Sequence, residues 1–247
     1  MRPHLRPLKG LPTLSDTAFE LLSPPERERL GERIAAEIRH RILSTGIGAG
    51  QKLPSERDLA GQLKVSRVVI REALQILECS GLIAIRAGGA VVTDELHKPV
   101  ARSIADLYDA GRVSLEHFVD VRRANECLVA RAAAKRAVPR DVETLAAINE
   151  TVLDALKDRG RLRTTNMAFH VALAEIAGNP LNTLVVRSLF DLLDALRPRS
   201  LQTDDYVRET HRYHREIVAA LAQGDADRCA EAVARDVERT ARLLDTA

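Results

Sequence analysis

The chain has no tryptophan, and its aromatic content is only 3%. That scarcity disfavours stacking platforms for single-stranded nucleic acid, which need flat rings for successive bases. Cysteine is scarce too: Cys79, Cys127 and Cys229 are odd in number and far apart. This argues against a disulfide framework and against a cysteine-only zinc site. No apolar run approaches the ~18 residues of a membrane span, and Met1–Gly10 has no apolar signal-peptide core. The expected compartment is therefore the cytoplasm, with no membrane partner. A charge excess is missing as well. The formal net charge is +2, and residues 1–97, with 14 Lys and Arg against 12 Asp and Glu, account for all of it. Nothing in the chain supplies an oxyanion hole, a phosphate loop or a dedicated nucleophile.

What is present is a globular composition, 247 residues with 45% hydrophobic and 29% charged side chains, enough for one or two domains with a substantial core. The most informative stretch runs from Leu53 to Leu74 and reads as two short helices joined by a tight turn. Ser55 is a good N-cap with Asp58 three residues on, and Leu59, Ala60 and Leu63 form one apolar face. After the Lys64-Val65 turn, Ser66 caps a second helix, about Ser66–Ser80, whose apolar positions Val69, Ile70, Ala73, Leu74 and Leu77 recur at helical spacing. Its polar face carries Arg67 and Arg71 one turn apart, at the end where free backbone N–H groups and the helix dipole favour an anion. This is the pattern of a helix-turn-helix with the second helix as its recognition element. Lys52, Arg57, Lys64 and Arg86 fall beside the same face, for which a merely solvated basic surface is the plainer alternative.

Around this unit, residues 1–22 lack periodicity and read as an arm. Ser23-Pro24-Pro25-Glu26 opens a helix that is expected to carry Leu30, Ile34, Ile38 and Leu43 inward and to end near Ser44–Gly46. Downstream, residues 81–86 and 90–93 read as two short strands joined at Ala87-Gly88-Gly89, a wing whose tip can approach the phosphate backbone or the minor groove, or else a purely structural hairpin. The DNA-binding unit thus spans 23–96, and His97-Lys98-Pro99 reads as a linker. From 100 to 247 only helical periods appear, at about Val100–Ala110, Leu115–Ala137, Arg140–Asp158, Arg161–Ala177, Leu181–Leu196, Asp204–Ala222 and Asp225–Leu244. The fold class is mainly α, a winged helix-turn-helix followed by an all-α bundle, and bundle interiors commonly hold ligands and metals.

The ordered run Leu53-Pro54-Ser55-Glu56-Arg57-Asp58-Leu59-Ala60, then Val65-Ser66-Arg67, Ile70-Arg71-Glu72-Ala73-Leu74 and Gly81-Leu82-Ile83 resembles the winged helix-turn-helix of the GntR family of bacterial transcription regulators. The resemblance implies DNA contacts from Arg57, Arg67 and Arg71, with Ser66 beside them and the Gly88-Gly89 wing tip completing the footprint; Arg86, on the strand leading to that tip, joins them by its place in the hairpin. Val68 and Val69 stand where a polar residue or proline is common in that family.

The helical half is similar to the FCD domain that defines the FadR branch. Phe118–Glu126 follows its F-x-x-x-R-x-x-x-E pattern, residues 166–174 its D-x-x-F-H-x-x-L, and residues 214–225 its H-x-x-I-x-x-A-I-x-x-G-D. Many members of that branch hold a divalent metal with one Asp and three His. Here Asn166 stands in place of the Asp, and Asp236 in place of the third His. Asn166, His170, His214 and Asp236 still make a mixed N/O donor set suited to Zn²⁺, Ni²⁺ or Mn²⁺, the alternative being a metal-free polar pocket. His211, three residues before His214, is a further histidine of the same helix. By the same resemblance Arg122 faces the cavity as a receptor for a small carboxylate effector. Its plainer role is an ion pair with Glu126, four residues on.

The expected protein is a homodimeric DNA-binding regulator, more often a repressor than an activator, that binds a double-stranded operator and is controlled by an organic acid. One competing reading is a metal enzyme using the bundle site with Glu126 as general base. The other is an adaptor whose winged helix contacts protein.

Overall fold

A computed structural model of the chain describes residues 27–196 and 203–245. The expected arm over 1–22 and the Ser23-Pro24-Pro25-Glu26 cap lie outside the described residues. Helix α1 spans Arg27–Thr45, α2 Glu56–Leu63 and α3 Arg67–Cys79, followed by strands β1 Ile83–Arg86 and β2 Gly89–Val92. The strands pair antiparallel, with Ile83 opposite Val92 and Arg86 opposite Gly89. The loop is thus the two residues Ala87-Gly88, and Gly89, placed in the turn by its sequence, belongs to the ladder with φ +107°. That left-handed value is one that glycine adopts without a Cβ clash.

The core of this unit is built from Ile38 and Ile42 of α1, Leu59 of α2, Ile70, Ala73, Leu74 and Leu77 of α3, and Ile83 and Val92 of the hairpin. The inward stripe of α1 differs from the sequence expectation. Ala35, Ile38 and Ile42 are buried, whereas Leu30 and Leu43 are exposed. At about 100° per residue, position 43 lies roughly 140° around the helix from Ile38, off the face that meets α3.

The expected linker His97-Lys98-Pro99 is the first turn of α4 (His97–Asp109). Proline is tolerated there because first-turn N–H groups have no intrahelical acceptor. The bundle continues with α5 Leu115–Arg136, α6 Pro139–Glu150, α7 Arg161–Ala177, α8 Pro180–Leu196, α9 Asp204–Ala222 and α10 Ala226–Asp245. The single helix expected over Arg140–Asp158 is instead α6 followed by a 3-10 turn over Thr151–Leu156. Thr151 starts the tighter turn, its hydroxyl donating to Ile148 O at 2.7 Å and competing with the regular ladder. Helices α5, α7, α8, α9 and α10 enclose a second core around Val129, Phe169, Leu193, Ile217 and Val233. No helix among the described residues is long and apolar enough to cross a membrane.

Candidate nucleic-acid interface and metal centre

The two short helices are positioned by local chemistry. Ser55 Oγ accepts from the N–H of Asp58 at 3.2 Å and Ser66 Oγ from that of Val69 at 3.4 Å, so each helix starts on a hydroxyl cap. Between them Lys64 takes a left-handed conformation, φ +55°, which reverses the chain in one residue. Glu56, at the start of α2, then reaches across to α3. It accepts from Arg71 Nε at 3.3 Å and Nη2 at 3.0 Å, and from Arg67 Nη2 at 3.5 Å. Hydrogen bonding to Arg71 holds this carboxyl below its usual range. A shallow groove of about 370 Å³ is lined by Glu56, Arg57, Arg67, Ile85 and Gly89. It joins α2, α3 and the wing on one face. Arg57, Arg67 and Arg71 expose more than half of their side chains there. Ser66, Arg86, Gly88 and Gly89 are exposed too. The ammonium of Lys52 lies beside Gly88 at the wing tip.

In the bundle, the fold gathers donors from α7, α9 and α10. Ligand atoms of His170, His214 and Asp236 lie within 4.8 Å of one another, and all three residues are buried. Asn166 stands one turn before His170 on α7, buried, with Oδ1 lacking any hydrogen-bond partner. His211 is not part of the group; its Nε2 meets Glu150 Oε1 at 3.0 Å.

The orientation of His214 follows from its neighbours. Asn149 Nδ2 donates to the backbone carbonyl of His211 at 3.1 Å, which turns Asn149 Oδ1 toward His214 Nδ1, also at 3.1 Å. An amide oxygen only accepts, so the His214 proton sits on Nδ1 and the lone pair on Nε2, which is buried with no partner. Phe169 stacks on the ring at 3.8 Å between centroids. Burial, reinforced by His170, pushes His214 well below the ordinary imidazole range.

His170 is held differently. Its Nδ1 lies 2.7 Å from Glu126 Oε2 and its Nε2 3.4 Å from Asp236 Oδ2. Burial acts to lower its pKa, but these two carboxylates outweigh burial and hold it above the ordinary value. The same logic reversed applies to the acids. Burial would raise Glu126 and Asp236, yet Arg122 and His170 hold Glu126 down. His170 and Arg239 hold Asp236 far below the carboxylate range.

Arg122 is buried, donates from Nε to Glu126 Oε1 at 2.5 Å and lies over the Phe190 ring at 4.6 Å. The ion pair that its sequence spacing allowed is therefore formed. One nitrogen, Nη2, remains buried without a partner.

Two family models match the chain: "Bacterial regulatory proteins, gntR family" over residues 30–92 and "FCD domain" over residues 117–239. The HTH-type transcriptional repressor NanR of Citrobacter rodentium is 32% identical over 213 residues, covering 83% of this chain and 81% of that protein. The chain belongs to the GntR family. NanR of Escherichia coli K12 is 30% identical to this GntR-family chain over 215 residues, 83% of this chain and 80% of that protein. The fold is shared with Streptococcus agalactiae GntR, TM-score 0.64 at 22% identity, over 86% of this chain and 99% of that one. This GntR regulator thus binds DNA through its winged helix-turn-helix and carries an FCD domain of the type found in the FadR branch. Its family comprises transcription regulators and not enzymes, which removes the enzymatic reading. Glu126, the general base of that reading, is engaged by Arg122 and His170.

Sequence reasoning about this GntR chain missed three neighbours of the site. Asn149 and Phe190 approach from α6 and α8, and no local pattern connects them to His214 or Arg122. Arg239 had a readable signal, since it lies three residues after Asp236 and so shares its helix face. Its Nη2 donates to Asp236 Oδ1 at 3.1 Å and to Thr210 Oγ1 at 2.9 Å.

Proposed function

We propose that this chain is a homodimeric repressor whose operator affinity is set by a small organic acid, bound together with a divalent metal in the FCD bundle. Arg57, Ser66, Arg67, Arg71 and the wing residues Arg86, Gly88 and Gly89 are its DNA contacts. Asn166 Oδ1, His170 Nε2, His214 Nε2 and Asp236 are its metal ligands. The observation that carries the metal reading is a pair of orphaned atoms: Asn166 Oδ1 and His214 Nε2 are buried with no hydrogen-bond partner, in a group completed by His170 Nε2 and the Asp236 carboxylate, which face each other at a long 3.4 Å. Buried polar atoms left unpaired are costly, and the mixed N/O set fits Zn²⁺, Ni²⁺ or Mn²⁺. A cation bound there would supply a Lewis-acid anchor for an effector carboxylate.

The chain's own residues do the rest. Arg122 Nη2 is free to donate to a carboxylate, and Glu126 and Phe190 keep the guanidinium in place. Glu126 and Asn149 each set the ring nitrogen of a histidine that faces the centre. Helix α8 links this site to the DNA-binding unit. It carries Phe190 under Arg122, and also Asp191, 3.4 Å from His97, Ser188, which donates to His97 O at 3.2 Å, and Arg187, 3.6 Å from Asp94. A shift of α8 on effector binding therefore bears on the segment joining the two units. In a dimer on a pseudo-palindrome the recognition helices must sit about 34–36 Å apart. A coupling of ~1–3 kcal/mol per effector suffices to lower operator occupancy. The repressor sign is supported by the NanR relatives, which are named as repressors.

The test is metal analysis of untagged protein purified without chelators, followed by operator binding in the presence of a panel of hydroxy, sugar and dicarboxylic acids. The reading requires about one ion per chain and release of DNA by at least one acid. Fewer than ~0.1 ions per chain after mild dialysis would reject the metal.

A further inference from the structure

The structure presents an apolar side chain where a reader of bases is needed. Val68, the second residue of α3, is 73% exposed. The buried face of α3 is made by Ile70, Ala73, Leu74 and Leu77. At about 100° per residue, the direction opposite the centre of that face falls within roughly 10° of Val68, with Arg71 about 60° to one side. Val68 thus occupies the middle of the outward face, in the N-terminal turn, with Arg71 and, further round on the same side, Arg67, both of which Glu56 holds against α2. An isopropyl group there has no hydrogen bond to offer a base or a phosphate. The one apolar group that the edges of the four bases present in the major groove is the 5-methyl of thymine.

We infer that Val68 is a specificity-determining residue that reads the 5-methyl group of one thymine in each operator half-site, next to the bases or phosphates met by Arg67 and Arg71. This rests on the reading that α3 enters the major groove with those arginines. The contact selects T·A over C·G by the presence of the methyl and over A·T by its position. It also gives a role to the departure from the polar residue or proline common at this position in the family.

The experiment begins with the operator that the full-length protein selects from a random duplex library at about 150 mM salt. Each thymine of one half-site is then replaced in turn by deoxyuridine, which deletes only the methyl group. Wild-type protein is expected to lose roughly three- to fivefold in affinity at one thymine per half-site and little at the others, the worth of one apolar carbon removed from water. In Val68→Ala, whose side chain points away from the core, that penalty disappears, and the thymine itself becomes less strongly selected. Val68→Thr keeps the shape and should retain part of the penalty. The inference is overturned if no thymine is sensitive to loss of its methyl, or if Val68→Ala keeps the full deoxyuridine penalty. Failure to select any sequence, with intact helical content, would instead remove the major-groove premise, and the inference with it.

Discussion

Inside the bundle, Glu126 Oε2 lies 2.7 Å from His170 Nδ1, joining α5 to α7 through two buried, ionisable side chains. Because Asp236 faces the other ring nitrogen, His170 is flanked by acceptors on both sides and, below its raised pKa, carries a proton on each nitrogen when no cation is present. Metal uptake at Nε2 must release one of them, while Nδ1–H continues to donate to Glu126. Zn²⁺ affinity is therefore expected to rise with pH until it passes the raised pKa of His170, with proton release measurable by calorimetry in buffers of different ionisation enthalpy. Glu126→Gln weakens binding by roughly 10–100-fold in chelator competition. Equal affinity in both proteins at all pH values would place Glu126 outside the centre.

Without metal, the two histidines pull stability in opposite directions. His214 is held below the ordinary 6.5, so below that pH the unfolded chain takes up a proton that the folded chain refuses, and stability falls. His170 is held above 6.5; its contribution is complete below 6.5 and is lost as pH rises through the folded value. Urea unfolding in EDTA should give a stability maximum near pH 6.5, and His170→Gln should lose the alkaline limb. Below the ordinary carboxylate values of 4.5 and 3.8, the contributions of Glu126 and Asp236 are lost as pH falls toward their depressed folded values. A profile that keeps climbing to pH 9 would contradict the assignment for His170.

Arg122 is an ion-pair partner of Glu126 and, in the function proposed above, the effector receptor; two substitutions separate the roles. Arg122→Ala leaves the Glu126 carboxylate buried with one partner fewer, and breaking a buried pair in this way costs about 3–5 kcal/mol. Arg122→Lys keeps the charge but loses the planar fork, so the fold and operator affinity persist while the acid needed to release DNA rises at least tenfold. Thermal unfolding and anisotropy titrations of the same preparations read the two effects. Unchanged release in Arg122→Lys would leave Arg122 with its ion pair alone.

On the DNA face, Arg67→Ala and Arg71→Ala should each cost about 1–3 kcal/mol of operator binding where the arginine meets a base. Equal losses on random duplex assign that arginine to phosphate. Glu56→Ala frees both guanidiniums and removes a negative charge from the interface. Binding to random DNA is then expected to tighten, and discrimination between operator and random DNA to shrink. The ratio of the two affinities, measured at two salt concentrations, checks this.

Much of the DNA-binding unit is legible in the amino-acid sequence. Ser55 and Ser66 are caps, Lys64-Val65 is the turn, and Ile70, Ala73, Leu74 and Leu77 form a stripe because each of these signals acts over three to eight residues. The helices of the bundle are legible for the same reason, with boundaries off by a few residues where Thr151 tightens a turn or Pro99 is absorbed into a first turn. The spacing of Asn166 and His170 on one helix can be read in the same way, and the family resemblance brings His214 and Asp236 to them.

The sequence by itself therefore determined the elements, their apolar faces, the family and the chemical types available for a site. Only tertiary structure decided which lone pairs are free. Asn149 turns His214, Glu126 and Asp236 bracket His170, and Phe190 lies under Arg122, through contacts between helices far apart in the chain. Periodicity specifies which face of a helix is buried but not which side chain of another helix it meets. Protonation and ligand geometry depend on that meeting.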